Sequence, residues 1–369
     1  MLGNSPNNHI TGSHTLTIAN GHTLNGGGQV GSSTFGPLDQ LVNQGTLRAD
    51  ASTGMSVSAT TFDNSQGVVQ VADGSFLTMQ NGTLSGGTIN GVGSAYLEGG
   101  IYSNTTLTGT LKVNDGGVIN VAGTLTNNGN FTIASTGNNT RLVLAADATL
   151  SGVGATVLGN SPNNHITGSH TLTIANGHTL SGGGQVGSTT FGPLNQLVNQ
   201  GTLRADASSG MSVSSTTFDN RGGKLEIASN TTLTVLADVL LDDNSSLKID
   251  VVGLSQGTQY GLLQLGQNLN FDGVVELDLS SFAAQVGDSF TFLTLTGTAV
   301  GTGAFDDVFA IGYDVNVTYF SDRVTATISA VTPIPEPQTW GMLLAGLGFV
   351  TWRVRCQAKG KRQLPEVAA

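Results

Sequence analysis

Residues 158–180 read LGNSPNNHITGSHTLTIANGHTL, and the same letters stand in the same order at residues 2–24. The match continues beyond them, so that segment 157–223 is identical to segment 1–67 at most of its positions. A compact core cannot absorb such a copy, because its new apolar surface has nothing to pack against. A solenoid absorbs it readily, since each coil contacts only its neighbours. The duplication therefore favours a solenoid.

Short runs that alternate apolar and polar residues fill the rest of segment 1–330, among them TLTIA at 15–19, GTLKVN at 109–114 and GNFTIA at 129–134. A period of two predicts β-strands. Antiparallel sandwiches in series are the alternative architecture. Irregular strand spacing, few aromatic residues and the tolerated duplication favour an all-β, single-stranded parallel β-helix (β-solenoid) with coils of about 20 residues.

Corners of the predicted coils are marked by Asn-Gly and Asp-Gly pairs, which suit positions with a positive φ angle. Such pairs end at Gly21, Gly74, Gly82, Gly116 and Gly129. The prolines of segment 1–330 all lie in the duplicated segments, as expected of a chain held mostly in β-ladders, where proline cannot donate a hydrogen bond.

Five segments follow from this pattern. Residues 1–236 are predicted to form a solenoid that contains the duplication (1–67 and 157–223), and 237–330 its closing coils and C-terminal cap. Residues 331–338 are predicted to form a proline-rich linker with a Pro-Glu-Pro motif, 339–352 a short hydrophobic transmembrane helix, and 353–369 a basic cytoplasmic tail. Met1 aligns with Val157 in mid-repeat, which leads us to expect a protein that starts upstream, with Met1 a misassigned start.

Charge is sparse and uneven. Charged residues make up 10% of the chain and its net charge is −11. Residues 1–330 carry 8 basic and 22 acidic residues, an acidic surface that repels phosphate backbones and argues against nucleic-acid binding. The single cysteine, Cys356, lies in the tail, so no disulfide is expected in the solenoid. This fits an exported bacterial protein.

The C-terminal segment has three unlike parts in a fixed order. Pro333, Pro335 and Pro337 hold the chain extended. The uncharged run 340–352 follows and is shorter than the ~20 residues of a full membrane span. Its helix-forming apolar residues, with tryptophans suited to the two membrane interfaces, are Trp340, Leu343, Leu344, Leu347, Phe349 and Trp352. The basic residues that mark a cytoplasmic side are Arg353, Arg355, Lys359, Lys361 and Arg362. A C-terminal helix docked on the solenoid is the alternative.

Pro335-Glu336-Pro337, the segment WGMLLAGLG and the arginine-bearing end together resemble the PEP-CTERM sorting signal. The resemblance implies a Gram-negative, exopolysaccharide-producing bacterium and export across the inner membrane. It also implies recognition of Pro335, Glu336 and Pro337 by an exosortase, a membrane cysteine protease, with the helix as a transient anchor. The extra QAKGKRQLPEVAA at 357–369 departs from the family, whose members usually stop soon after the arginines. The repeats of the body resemble haemagglutinin- and autotransporter-type adhesin repeats.

Candidate chemistry within the body is weak. The six histidines are three residues copied twice, with no acidic or cysteine partner at metal-ligand spacing, and we interpret them as surface or turn residues. Asp242-Asp243 and Asp306-Asp307 cannot share a proton if they lie in strands, and in turns they would be caps or weak calcium ligands. The glycine-rich NGGGQVG at 25–31 has no P-loop lysine. Arg48 with Asp50, and Arg204 with Asp206, are predicted surface pairs.

No catalytic residue, cofactor or metal is therefore predicted. We expect a non-enzymatic, exported, structural or adhesin-like protein of the cell surface or exopolysaccharide matrix. Its Thr-, Ser- and Asn-rich faces suit contact with glycans or with other copies of itself. One alternative is a polysaccharide lyase or hydrolase, which needs clustered Asp, Arg or Lys on one face. A truncated, duplicated gene product without selected activity is the third possibility.

Overall fold

A computed structural model describes residues 1–332 as a parallel β-solenoid with no helix in that range. The prediction of an all-β parallel solenoid is confirmed, and antiparallel sandwiches are excluded for these residues. The predicted C-terminal helix at 339–352 lies outside the described residues, as do the remaining residues of 333–369. Within residues 1–332, no helix is long and apolar enough to span a membrane.

Thirty-five strands follow one another along the described chain. Those that precede the second copy are β1 (His9–Ile10), β2 (Thr15–Ile18), β3 (Thr23–Gly26), β4 (Gly28–Val30), β5 (Leu38–Asn43), β6 (Thr46–Ala49), β7 (Met55–Asp63), β8 (Val68–Val71), β9 (Phe76–Ser85), β10 (Thr88–Gly91), β11 (Tyr96–Val113), β12 (Val118–Asn127), β13 (Asn130–Ile133), β14 (Thr140–Ser151) and β15 (Ala155–Leu158).

The remaining strands are β16 (Asn164–Thr167), β17 (Thr171–Ile174), β18 (Thr179–Gly182), β19 (Gly184–Val186), β20 (Leu194–Asn199), β21 (Thr202–Ala205), β22 (Met211–Val213), β23 (Ser215–Asp219), β24 (Lys224–Ile227), β25 (Thr232–Val235), β26 (Asp238–Leu240), β27 (Ser246–Asp250), β28 (Leu262–Leu265), β29 (Leu269–Phe271), β30 (Val274–Asp278), β31 (Ser289–Leu295), β32 (Gly301–Gly303), β33 (Asp307–Phe309), β34 (Tyr313–Tyr319) and β35 (Arg323–Val331).

The coils have three faces, each a column of parallel strands. On the first face β4 pairs with β1 and then with β7, and on the second face β5 pairs with β2 and then with β7. On the third face β6 pairs with β3 and β8. Long strands such as β7 bend round a corner and therefore serve two faces.

The length of one turn varies along the solenoid. His9 pairs with Gln29 near the N-terminus, whereas Leu263 pairs with Leu293 near the C-terminus. The predicted coil length is therefore right for the first coil and wrong for the C-terminal coils, where a turn is half as long again. Loops at the corners absorb the difference, so the strands stay in register while the coil length changes.

The core is a set of apolar columns inside the coils. On the third face Leu47, Val69 and Ile89 lie one above another in successive turns, and each is fully buried. Alternate residues of a strand point to opposite sides of the sheet, so every second residue enters such a column and the others face outward. The columns replace the compact core of a globular domain.

Buried asparagines line the corner between the second and third faces. Asn43 Nδ2 donates to Asn64 Oδ1 at 2.7 Å and to the carbonyl of Val68 at 3.1 Å. Asn199 and Asn220 repeat the first of these bonds in the second copy, at 2.7 Å. Each side chain therefore satisfies backbone and amide groups of the next coil that the turn leaves unpaired.

The glycine-rich run 25–31, repeated at 181–187, turns the chain from the third face to the first. Gly187 has a φ of +74°, and a Cβ there would lie 1.8 Å from the carbonyl oxygen of Ser214 in the next coil. Close backbone approach between coils, rather than phosphate binding, explains the glycines.

A hairpin of β34 and β35 closes the C-terminal end. β35 pairs antiparallel with β31, the last strand of the first face, and with β34. These two pairings are the antiparallel ones among the named strands, so the hairpin ends the parallel ladder.

Replacing Asn64 with Ala is expected to destabilise the solenoid by about 1–3 kcal/mol, because Asn43 and the carbonyl of Gly86 each lose a buried hydrogen-bond partner. Thermal or denaturant unfolding of Asn64→Ala measures the loss, and Asn220→Ala is expected to match it. Asn316→Ala, at an exposed position of β34, serves as the control. Equal stability of Asn64→Ala and Asn316→Ala would contradict the structural role of the asparagines.

Candidate functional site

Outward-facing side chains form continuous polar columns along the solenoid. On the first face of the second half, neighbouring strands pair so that one such column runs through Gln185, Ser212, Thr234 and Gln264. Neighbouring strands of a sheet lie about 4.8 Å apart. The column therefore repeats a hydrogen-bonding side chain at that spacing along the axis.

A groove of about 220 Å³ opens beside this column in the second copy. Its lining is Pro162, Gly184, Gln185, Ser209, Gly210, Met211, Ser212, Thr232 and Thr234. None of these lining residues titrates near neutral pH. The groove offers hydroxyl and amide groups to a neutral polar ligand, and its lining contains no acid, base or charged nucleophile.

The first copy fills the corresponding space with an aromatic ring. Phe76 stands where the second copy has Thr232, and its ring lies against Gly54, the counterpart of Gly210. The ring of Tyr96 in the next coil stacks on it, with the centroids 4.8 Å apart and the planes at 20°. The two copies therefore present different surfaces at one position of the repeat: an aromatic pair and an open groove.

Charged side chains gather on the third face of the C-terminal half. Ser181, Arg204, Glu226, Lys248 and Glu276 are successive neighbours there. Arg204 contacts Asp206 at 3.1 Å, which confirms the predicted surface pair, and also Glu226 at 3.4 Å.

Lys248 joins the last turns of this charged column. Its Nζ lies 2.6 Å from Asp278 Oδ2, and this hydrogen bond, with those from Ser280, lowers the pKa of Asp278 to about 2. The basic groups here pair with neighbouring carboxylates, so this face resembles a surface ion-pair network more than a catalytic cluster.

Three carboxylates from different coils meet near the C-terminal end. Oxygens of Asp243, Asp272 and Asp306 lie within 4.8 Å of one another. The backbone N–H of Gly273 donates to Asp272 at 2.9 Å and to Asp306 at 3.2 Å. Carboxylate oxygens are ligands that Ca²⁺ accepts, so these are the described residues that could hold a divalent cation.

The sequence analysis considered pairs of aspartates that are adjacent in the chain, whereas the structure brings together aspartates from different coils. Asp242 caps its turn, accepting hydrogen bonds from the backbone N–H of Gly222 at 2.9 Å and of Asn244 at 3.1 Å. Asp243 instead meets Asp306 of a later coil, together with Asp272, which the sequence did not single out. Contacts between coils depend on register, which adjacency in the sequence does not reveal.

The histidines differ between the copies although the sequence around them is the same. His22 is exposed, whereas its counterpart His178 is fully buried. His178 Nδ1 donates to the carbonyl of Gly152 at 3.1 Å, and Nε2 lies 3.1 Å from the hydroxyl of Thr156, which therefore donates to it. His178 lies in the turn after β17, where its backbone N–H donates to the carbonyl of Ala175, so its place in a turn agrees with the interpretation although its side chain is buried. The interpretation as surface or turn residues is wrong for His165, which is buried within β16.

The predicted C-terminal features all lie outside the described residues. They are the sorting motif Pro335, Glu336 and Pro337, the hydrophobic residues from Trp340 to Trp352, and the basic residues from Arg353 to Arg362. The groove, Asp272 and the aromatic pair were missed by sequence reasoning. Alignment of the two copies places Phe76 opposite Thr232 in the sequence. A comparison of outward-facing positions between the copies would therefore have indicated the groove.

No protein-family model matches the chain, and no curated protein matches it significantly. The likeness of the tail to a sorting signal therefore depends on its residues, and the likeness of the body to β-helix repeats on its residues and fold.

Acidification is expected to destabilise the solenoid through His178. Burial lowers the pKa of His178, partly offset by its hydrogen bond to Gly152, so below about pH 6.5 the unfolded chain binds the proton more readily. This stabilising contribution is complete above the pKa of the unfolded state and is lost as the pH falls through the lower pKa of the folded state. The fall in melting temperature between about pH 7 and about pH 5 measures it.

His178→Gln is expected to reduce that fall, whereas His22→Gln, the same change in the same local sequence at an exposed position, is expected to leave it as in the wild type. An unchanged pH dependence in His178→Gln would contradict the assignment to this residue.

Proposed function

We propose that the chain is an exported, non-enzymatic, structural or adhesin-like protein of the cell surface or exopolysaccharide matrix, and that an exosortase-type protease sorts it. The observation that carries the proposal is the polar column beside the open groove on the first face. Solenoids suit such a role because their length multiplies a weak contact along one axis.

A linear glycan matches the chemistry of this surface. Its hydroxyl groups can exchange hydrogen bonds with Gln185, Ser212 and Thr234, which repeat along the axis. Polar ligands are held by a few well-placed hydroxyl and amide groups. The lining lacks ionisable residues, which favours binding over cleavage.

The C-terminal residues support the route to the surface. A Pro-Glu-Pro motif, an uncharged run with tryptophan at both ends and a basic end follow one another there. In the proposed pathway the protease recognises Pro335, Glu336 and Pro337, the run 339–352 holds the chain transiently in the inner membrane, and the basic residues 353–369 stay on the cytoplasmic side. The solenoid is then released to the surface or matrix.

Processing is tested by mass spectrometry of the C-terminal peptides in surface and membrane fractions of the native host. We expect the outer fraction to lack everything after the region of residues 335–337. A variant with Pro335→Ala, Glu336→Ala and Pro337→Ala is expected to keep its tail. The matched control replaces the second proline–glutamate pair, Pro365→Ala with Glu366→Ala. An intact tail reaching Ala369, found only in the inner membrane or cytosol, would refute the sorting proposal.

Glycan binding is tested by co-sedimentation of the purified solenoid with exopolysaccharide from the same host. Thr232→Phe gives the second copy the phenylalanine that the first copy has at this position, Phe76. We expect this variant to bind the polysaccharide more weakly, because the ring would cover Gly210 and occupy the groove. Thr232→Ser keeps a hydroxyl in an open groove and is expected to bind as the wild type does. Equal binding by both variants would show that the groove is not the glycan site, and shortening of the polysaccharide would contradict a non-enzymatic role.

A further inference from the structure

We propose that Arg141, two turns before the groove residue Gln185, binds a carboxylate of the ligand, so that the glycan held on the first face is an acidic one. The inference rests on the proposed function, because it names the class of glycan that the groove takes. The groove then holds hydroxyl groups of the sugar chain, and Arg141 holds its acidic group.

Arg141 lies on the first face in line with the groove. It pairs with His165 of the next coil, and His165 pairs with Gln185, which lines the groove. Coils follow one another at about 4.8 Å, which places Arg141 and Gln185 about 10 Å apart along the axis. A linear glycan that lies along the axis and spans two turns therefore reaches both residues.

The side chain of Arg141 extends toward the coil that carries Gln185. Its guanidinium carbon lies 4.6 Å from the ring centroid of Phe191, which follows Gln185 in the same coil. Ser188, in the same loop as Phe191, donates a hydrogen bond to Gln185 Oε1 at 3.2 Å. Positive charge is therefore held at the coil that contributes Gln185 to the groove.

The guanidinium of Arg141 has no acidic partner in the part of the chain that the structure describes. Eight basic residues lie in segment 1–330. Those that form ion pairs with carboxylates are Arg48, Arg204, Arg221, Lys224, Lys248 and Arg323. Arg141 and Lys112 are the two others. The ring of Phe191 attracts the cation but leaves its N–H groups without a strong acceptor, and a carboxylate fits that need with two parallel hydrogen bonds.

Buried polar atoms next to Arg141 also lack partners. His165 is 2% exposed, and its Nε2 lies 3.1 Å from Asn139 Oδ1. Because Nε2 donates to Asn139, Nδ1 is an acceptor, and it has no hydrogen-bond partner. Nε of Arg141 is a buried donor that also has none. An unpaired donor and an unpaired acceptor in adjacent coils indicate a place that a further molecule completes.

Arg141 supplies the positive charge at this place. Burial, and after it the charge of Arg141, lower the pKa of His165, so the imidazole is neutral at neutral pH. The paired positions from Arg141 to Gln264 on this face include no acidic residue. Attraction between Arg141 and a carboxylate of the ligand is therefore not cancelled by a carboxylate of the same column.

The test compares exopolysaccharide from the native host with the same polysaccharide after its carboxyl groups have been reduced to primary alcohols. Carbodiimide activation followed by borohydride makes this change and keeps the glycosidic linkages. We expect the full chain to co-sediment with the untreated polysaccharide and to bind the reduced one about tenfold more weakly, as for the loss of one charge-assisted contact. Added salt is expected to weaken binding of the untreated polysaccharide only.

Variants assign the effect to Arg141. Arg141→Gln is expected to bind the untreated polysaccharide as weakly as the wild type binds the reduced one. Lys112→Gln removes the other basic residue without an ion pair, which lies on the third face in line with Ser181, and is expected to bind as the wild type does. Arg141→Lys keeps the charge and is expected to bind more tightly than Arg141→Gln. Melting temperatures show whether each variant is folded, and the comparison of the two polysaccharides needs the wild type only.

The outcomes separate this inference from the proposed function. Equal binding of the untreated and the reduced polysaccharide by the wild type would overturn the role of a carboxylate and leave glycan binding in place. Equal binding by folded Arg141→Gln and Lys112→Gln would overturn the role of Arg141. Absence of binding to either polysaccharide would refute the proposed glycan binding, and this inference with it.

Discussion

The stacking of one coil on the next is the interaction on which the whole structure depends. Each strand takes its backbone hydrogen bonds from the turns above and below, and each inward side chain takes its contacts from the same two turns. A coil by itself has neither a ladder nor a core, so its stability comes from its neighbours. The buried asparagines and the close glycine contacts are further contacts between coils, placed at corners where the ladder is interrupted.

The duplicated segment shows how far this dependence extends. Two stretches of identical sequence form strands at corresponding places, although β1 (His9–Ile10) is shorter than its counterpart β16 (Asn164–Thr167). One copy exposes a histidine and leaves two leucines only partly buried, whereas the other buries all three. Local sequence therefore decides where strands and turns form, and the neighbouring coil decides which side chains are buried and which groups they contact.

The same division explains what could be predicted from the sequence. Alternation of apolar and polar residues, scarce prolines and the long duplication were sufficient for a parallel solenoid. Positive φ angles were predicted correctly at Gly21, Gly74, Gly82 and Gly116 but not at Gly129. There the glycine is needed because a Cβ would lie 2.2 Å from the carbonyl oxygen of Gly109 in the coil below. Buried His178 and the meeting of Asp243 with Asp306 were missed for the same reason, since both depend on register between coils. The groove lies where Thr232 replaces the Phe76 of the first copy, and the effect of that difference appears only beside Gly210.

The variable length of the turns has a mechanical consequence. Hydrogen bonds between coils run along the axis of the solenoid. When tension is applied between the two ends of the chain, the end coils detach one after another as their hydrogen bonds to the next coil break. Each turn that opens, from the short first coil to the longer C-terminal ones, frees roughly 70–110 Å of extended chain. A stretched solenoid of this kind lengthens in unequal steps, and the larger steps come from its C-terminal coils.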